Sequence, residues 1–377
     1  MKKVLIKNGN VVFAEEVRET ALLIAGGRIQ KIGEEKNYDQ LIDAEGLYVI
    51  PGLIDLHYHG LFMFPSPEKM SDFLERAQKK LILRGVAGFL ATFPATPIPR
   101  LIECLSALKE SCADKGVRTT NAKLLGVHLE GPFLSKEAKG AQPEDAIVDY
   151  DPDSAEMARL FDAGRGLVRV MSFAPEQKGA RELLEVLKKE NIVPALGHSV
   201  ASFEVAEEFC DKGARYLTHL FNGMRGIHHR EPGLALAGLV DDRFYKEIIV
   251  DGYHLHPAVV KLVWRSSPKE KVVLITDFVG DEDPLDIEPP RLPGGGLAGS
   301  RLRLIRAVRN LMRFSGAGIA EAVGSASLNP CRALGLTELG RIQEGAESCL
   351  ALADETLRLK KVIVGEQVID AQDDQLN

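Results

Sequence analysis

Between residues 53 and 275 the chain alternates short, continuously apolar runs with helix-length amphipathic segments. No other feature constrains its fold as strongly. The runs cover residues 53–56, 88–92, 124–129, 167–173, 192–196, 216–220, 247–250 and 272–275. Amphipathic stretches at 69–84, 98–115, 179–190 and 203–212 lie between them. Uninterrupted apolar runs of this length suit strands buried on both faces, as in parallel sheets covered by helices. Eight in series predict an α/β protein, a (β/α)8 TIM-like barrel over residues 51–339.

The two ends follow a different rhythm. Residues 4–6, 11–13, 21–24 and 28–32 form short strand patterns, with turn-forming Asn8-Gly9 and Gly26-Gly27 between successive pairs. From residue 340 strand patterns return at 350–352, 357–359 and 361–364, followed by the Gly365-Glu366 turn and Val368. Residues 1–50 and 340–377 are therefore expected to build a small β-sandwich domain from both termini, with the barrel inserted between them. Residues 288–296, rich in proline and glycine, read as an exposed loop after the eighth strand.

Composition removes several function classes. A formal charge of −7 without a basic stripe argues against nucleic acid as a partner. No run reaches membrane-spanning length without charges, and the start, MKKVLIKNGNVVF, lacks a sustained apolar stretch. Five scattered cysteines without metal-type spacing fit reduced thiols. A soluble cytoplasmic protein is expected.

The nine histidines all fall between His57 and His256, and several stand where an apolar run ends. In a β/α barrel that end is the catalytic face. In Leu53-Ile-Asp-Leu-His57-Tyr-His59, the two histidines point to one side of a strand with Cα atoms about 7 Å apart. They can grip one cation or serve a structural role. Glu130 directly follows an apolar strand, where a carboxylate is costly unless it meets a cation or strong donor; it reads as a bridging metal ligand or, alternatively, as a helix cap or surface acid. His128 shares its parity and is assigned a supporting or structural place. His198 and His219 each end a further run. A single such histidine is more often a satisfied core residue, but four strand ends offering His or Glu in series point to a metal site. Asp277 ends the eighth run, placed to take a proton from a water activated by a divalent ion and hand it to a leaving nitrogen.

The chain resembles the N-acetylglucosamine-6-phosphate deacetylase family of the amidohydrolase superfamily. The resemblance rests on segments in family order: Pro51-Gly-Leu-Ile-Asp-Leu-His-Tyr-His-Gly60, His128-Leu-Glu-Gly-Pro-Phe-Leu134, Gly197-His-Ser199, Thr218-His-Leu-Phe-Asn-Gly-Met224, His229-Arg-Glu-Pro-Gly233, Asp251-Gly-Tyr-His254, Thr276-Asp277, Leu297-Ala-Gly-Ser300 and Ser327-Leu-Asn-Pro330. It implies that Glu130, His198 and His219 hold the principal metal and that His57 and His59 complete a second position. Asp277 is implied as general base, then general acid. Asn222, Gly223, His254 and the Leu297, Ala298, Gly299 segment are implied to line the sugar site. Arg230 resembles the family's phosphate-binding arginine, which in related homodimers reaches into the neighbouring subunit. The expected cofactor is a divalent metal, one or two ions, with zinc, iron(II), cobalt or manganese all suited to these ligands. The expected partner is a small phosphorylated amino sugar, deacetylated in amino-sugar catabolism.

Three departures from the family pattern fall near the barrel mouth. Leu61-Phe-Met-Phe-Pro-Ser-Pro67 replaces a glycine-rich segment, Gln142 stands where a substrate-binding histidine is usual, and Phe278 follows the Thr-Asp pair. Gln142 can still hydrogen-bond a hydroxyl, while Phe278 beside the base is expected to narrow the site or exclude the usual substrate. The alternatives are a hydrolase for a related N-acyl hexosamine phosphate or a cyclic amide, or a non-catalytic sugar-phosphate binder.

Overall fold

The computed structural model describes residues 2–114, 120–281 and 288–372. Eight strands follow the eight apolar runs: β1 (Leu53–Gly60), β2 (Val86–Phe93), β3 (Lys123–Glu130), β4 (Val168–Phe173), β5 (Val193–Leu196), β6 (Tyr216–Leu217), β7 (Tyr245–Ile249) and β8 (Val272–Ile275). They pair in parallel, each beside its sequence neighbour, and the short strand Phe278–Val279 adds to the free side of β1. Residues of β1 and β2 are buried throughout, as an apolar run covered on both faces requires.

The sheet curls until its first and last strands approach. The Asp277 N–H donates to the His57 carbonyl at 2.8 Å, and the Thr276 hydroxyl donates to the Asp55 carboxylate at 2.6 Å. Asp55 lies inside an apolar strand and is fully buried; desolvation pushes its carboxyl up to about 6, against the bonds from Thr276 and the His57 amide.

Helices cover the outer face through regular apolar spacing. In Ala180–Lys189 the buried residues are Ala180, Leu183, Leu184 and Leu187, the i, i+3, i+4, i+7 stripe of a helix with one apolar side. Leu304–Ser315 repeats it with Leu304, Ile305, Ala307, Val308 and Leu311. The expected helix at 98–115 is observed as Ile98–Asp114; Lys115 lies outside the described residues. Among the described residues no helix is long and apolar enough to cross a membrane.

Strands from both termini form a separate mixed sheet. Lys3–Val12 pairs antiparallel with Val17–Ala25 and parallel with Gln40–Asp43 and Tyr48–Pro51, and Tyr48–Pro51 pairs with Cys349–Ala353 from the other end of the chain. Alternate side chains serve different neighbours: Val4 and Ile6 enter one apolar cluster with Ile24, Val49 and Leu350, while Leu5 joins Ala21 and Leu23. Two expectations need correction. Asn8-Gly9 does not turn a hairpin; the strand runs through it with a register shift, Asn8 at φ 59°. Gly9 lies against Val49 and Ala44, where a Cβ would come within 2.6 Å of Val49, so close backbone approach uses the glycine there. Residues 357–359 are not a strand of their own, because Asp354–Leu357 closes a turn and the strand begins at Leu359.

Candidate active site

At the carboxyl ends of the parallel strands, six of the residues singled out by sequence converge. Glu130 ends β3, and its Oε1 lies 2.9 Å from His198 Nε2 and 2.8 Å from His219 Nε2. The two imidazole nitrogens are 3.1 Å apart. On the other side, His59 Nε2 is 3.3 Å from Glu130 Oε2 and 3.1 Å from Asp277 Oδ1. His57 Nε2 is 3.3 Å from His59 Nε2 and 3.6 Å from both Glu130 Oε1 and Asp277 Oδ1.

The opposite nitrogen of each imidazole already has its own contact. His198 Nδ1 faces the Ala138 carbonyl at 2.9 Å, His219 Nδ1 the Asn222 carbonyl at 3.1 Å, and His59 Nδ1 the Thr92 carbonyl at 3.1 Å. His57 Nδ1 faces Glu247 Oε2 at 3.1 Å. A carbonyl or carboxylate accepts only, so each Nδ1 carries the proton and each Nε2 points a lone pair inward. Four lone pairs facing one another and two carboxylates repel unless a cation stands among them. This donor set fits a divalent metal held by nitrogen and oxygen.

The backbone also marks these positions. His198, His219 and Asp277 have φ of 47°, 28° and 52°, a region sparsely used by residues with a Cβ and tolerated where the surroundings enforce it. Each follows a strand and turns its side chain toward the same centre.

A cavity of about 700 Å³ opens on the cluster, lined by His59, Glu130, His198, His219 and Asp277. Asn222, Gly223 and His254 line it too, as do Leu297, Ala298 and Gly299. A Cβ at Gly223 would stand 2.8 Å from His198 Nδ1, and one at Gly299 2.3 Å from Val279, so both positions need glycine. Asp251 accepts the His254 Nδ1–H at 2.6 Å and turns Nε2 toward the cavity. Burial disfavours the protonated imidazole, yet the Asp251 carboxylate carries its pKa above the usual value.

Three further positions singled out by sequence are placed as follows, and one of them, Phe278, differs from expectation. Gln142 lines the cavity, but its amide is engaged: Nε2 donates to Glu130 Oε2 at 2.5 Å and Oε1 accepts from the Ala95 N–H at 2.8 Å. Phe278 does not narrow the site, because its ring stacks on Tyr58 at 5.8 Å and lies under the Arg84 guanidinium, away from the cavity. Arg230 lies outside the cavity lining, exposed, with Nη1 2.8 Å from His229 Nε2. Of the altered mouth segment, Met63 and Phe64 do line the cavity.

The chain matches the amidohydrolase family over residues 48–370. It belongs to the amidohydrolase family. This amidohydrolase is 34% identical to the N-acetylgalactosamine-6-phosphate deacetylase of Escherichia coli O157:H7, over 86% of this chain and 88% of that protein. With the N-acetylglucosamine-6-phosphate deacetylase of Bacillus subtilis (strain 168) identity is 30%, over 93% of each. Among solved structures, the N-acetylglucosamine-6-phosphate deacetylase of Thermotoga maritima superposes with a TM-score of 0.85 at 32% identity, covering 98% of this chain and 100% of that one.

Sequence reasoning missed several residues of the amidohydrolase site. Glu247, buried in β7, contacts His57 Nδ1 and accepts from the Tyr216 hydroxyl at 2.8 Å and the His219 N–H at 3.1 Å. Asp55 and Thr276 tie the ends of β1 and β8 together. The one sequence signal of Glu247 and Asp55 is a carboxylate inside an otherwise apolar strand.

Proposed function

We propose that this amidohydrolase hydrolyses the acetamide of N-acetylglucosamine 6-phosphate, releasing glucosamine 6-phosphate and acetate in amino-sugar catabolism. The observation that carries it is the convergence of four imidazole lone pairs and Glu130 beside Asp277 on the floor of a sugar-sized cavity, in a chain so similar to deacetylases of acetamido-sugar phosphates.

Glu130, His198 and His219 would hold the principal ion, with His57 and His59 completing a second position. Zinc or iron(II) suits the set best, and cobalt or manganese also fits. A divalent ion bound there lowers the pKa of a water to about 7 and polarises a carbonyl. Asp277 Oδ1 accepts the proton of the attacking water, then returns it to the departing nitrogen as the C–N bond breaks. Gln142 holds the second oxygen of Glu130 in place. His254, oriented by Asp251, presents Nε2 to the sugar, while Asn222, Gly223 and residues 297–299 shape the wall around it.

The fold reading completes this account. Residues 51–339 form a closed (β/α)8 barrel, supported by the bonds from Thr276 and Asp277 to β1. Residues 1–50 and 340–377 form a β-sandwich, supported by the apolar cluster that the terminal strands enclose between them. Arg230, exposed on its loop, meets substrate only in a homodimer whose second copy presents it. The five cysteines are free, in keeping with a cytoplasmic enzyme.

Acetate release from a panel of N-acetylglucosamine 6-phosphate, N-acetylgalactosamine 6-phosphate and unphosphorylated N-acetylglucosamine tests the reading. The gluco phosphate is expected to turn over fastest. Faster release from the galacto epimer would move the substrate to that sugar, a second reading favoured by the 34% identity to the Escherichia coli enzyme. No release from either phosphate by metal-loaded protein would remove the function.

A further inference from the structure

A phosphorylated sugar brings a doubly charged anion into a cavity that already contains Glu130 and Asp277, so a cation must meet the phosphate. Among the described residues lining the cavity, Arg301 alone is a lysine or arginine. We propose that Arg301 is the phosphate-recognising residue supplied by the same subunit, and so a determinant of specificity for 6-phosphorylated over neutral acetamido sugars. The proposal rests on the function given above.

Three observations support it. Arg301 is held by a rigid segment: the Ser300 N–H donates to the Asp277 carbonyl at 2.7 Å, the Val279 N–H donates to the Ser300 carbonyl at 3.1 Å, and the Ser300 hydroxyl donates to the Thr276 carbonyl. The arginine thus leaves the wall one residue from a backbone stitched to the end of β8.

Its guanidinium is also uncommitted. Arg301 is half-buried and makes no hydrogen bond or ion pair among the described residues. The neighbouring acid, Asp281, is occupied by Arg76 and Lys80 instead. Arg301 reaches its place across Gly280, another lining residue, where a Cβ would stand 3.6 Å from Nη1. Such a fork matches two phosphate oxygens at once.

Arg230, in contrast, is exposed and does not line this cavity. Within one subunit the phosphate therefore falls to Arg301.

The test compares Arg301→Ala and Arg301→Lys with the parent enzyme, metal-loaded, on N-acetylglucosamine 6-phosphate and on N-acetylglucosamine. Arg301→Ala should raise KM for the phosphorylated sugar roughly ten- to a hundred-fold, the worth of a charge-assisted hydrogen-bond pair, with a much smaller change in kcat. The phosphorylated-to-neutral ratio of kcat/KM should fall at least tenfold by the same reckoning. Arg301→Lys should recover part of the loss, since the point charge remains without the fork. An equal loss on both sugars, or an unchanged ratio, overturns the proposal. So does a selective loss that appears in Arg230→Ala alone.

Should the parent enzyme release no acetate from any phosphorylated sugar, the function reading fails while Arg301 is still judged by calorimetry with glucose 6-phosphate. Affinity must then fall in Arg301→Ala. Equal affinity overturns the assignment.

Discussion

His57 stands between two groups built from the same residue types. Beyond its Nε2 lie His59, Glu130 and Asp277, with the cavity in front of them. Beyond its Nδ1 lies Glu247, and His128 packs against the imidazole at 4.6 Å between ring centroids; neither residue lines that cavity. Each group brings histidines and a carboxylate within ligand distance of one another.

In the inner group every polar atom has a partner of its own. His128 Nδ1 faces the Leu56 carbonyl at 3.2 Å, and its Nε2 lies 2.7 Å from the Ser172 hydroxyl, which in turn meets the Thr218 hydroxyl. Burial pushes the His128 pKa down to about 4, leaving it neutral. In the outer group the lone pairs face one another and only a cation reconciles them. Proximity of metal-binding residue types is thus a weak criterion; unmet lone pairs with access from solvent are a strong one.

The largest expected effect tests the outer group directly. Glu130→Gln should remove bound metal and activity together, activity by roughly a thousand-fold or more, as for groups that act as a unit. Elemental analysis and acetate release read the two losses. Asp277→Asn should lower kcat by roughly 10²- to 10⁴-fold while metal content stays. Retained turnover in Asp277→Asn would take the aspartate out of the proton path.

Glu247→Gln addresses the inner group. The amide cannot hold the His57 Nδ1–H as a carboxylate does, so metal affinity or activity should fall roughly 10- to 100-fold, as when an orienting partner is lost. Competition with a chelator measures it, and unchanged affinity would make Glu247 a packing residue only.

The smallest effect comes from Lys246, the residue before Glu247 and buried on the other face of β7. Desolvation lowers its amine to about 8, and among the described residues its Nζ finds only the Phe244 carbonyl at 3.1 Å and the Asp241 carbonyl at 3.4 Å. Between about pH 8 and 10.5 the unfolded chain binds more protons than the folded one, so stability contributed by this group rises with pH across that window. Lys246→Met should flatten that rise and stabilise the protein at neutral pH by about 1 kcal/mol or more. Thermal unfolding at several pH values tests both, and an unaltered slope would show that the amine is better solvated than its burial implies.

The strands and most site residues were legible because each carries a local signal. Both faces of β1 to β8 are covered, so their residues read as continuous apolar runs, and a histidine or acid ending such a run stands out against them. Glu247 carried the same signal, a carboxylate within an apolar run, but its partner His57 is 190 residues away and no spacing links the two. Phe278 looked like a constriction because it follows Asp277, yet the φ of 52° at Asp277 turns the chain and sends the ring to Tyr58. Asn8-Gly9 was misread for a related reason: a glycine's neighbours are tertiary facts.

From its residue order alone the chain determined its strand and helix periodicity, the histidines and acids at the strand ends, and its membership in a recognisable family. Those properties are local, set by which side chains are apolar and at what interval. The tertiary structure decided which nitrogen of each imidazole faces the centre, which histidine cluster is left short of positive charge, and which arginine reaches the cavity. Such choices depend on hydrogen-bond partners and open space contributed by segments far apart in the chain, and only a folded backbone brings them together.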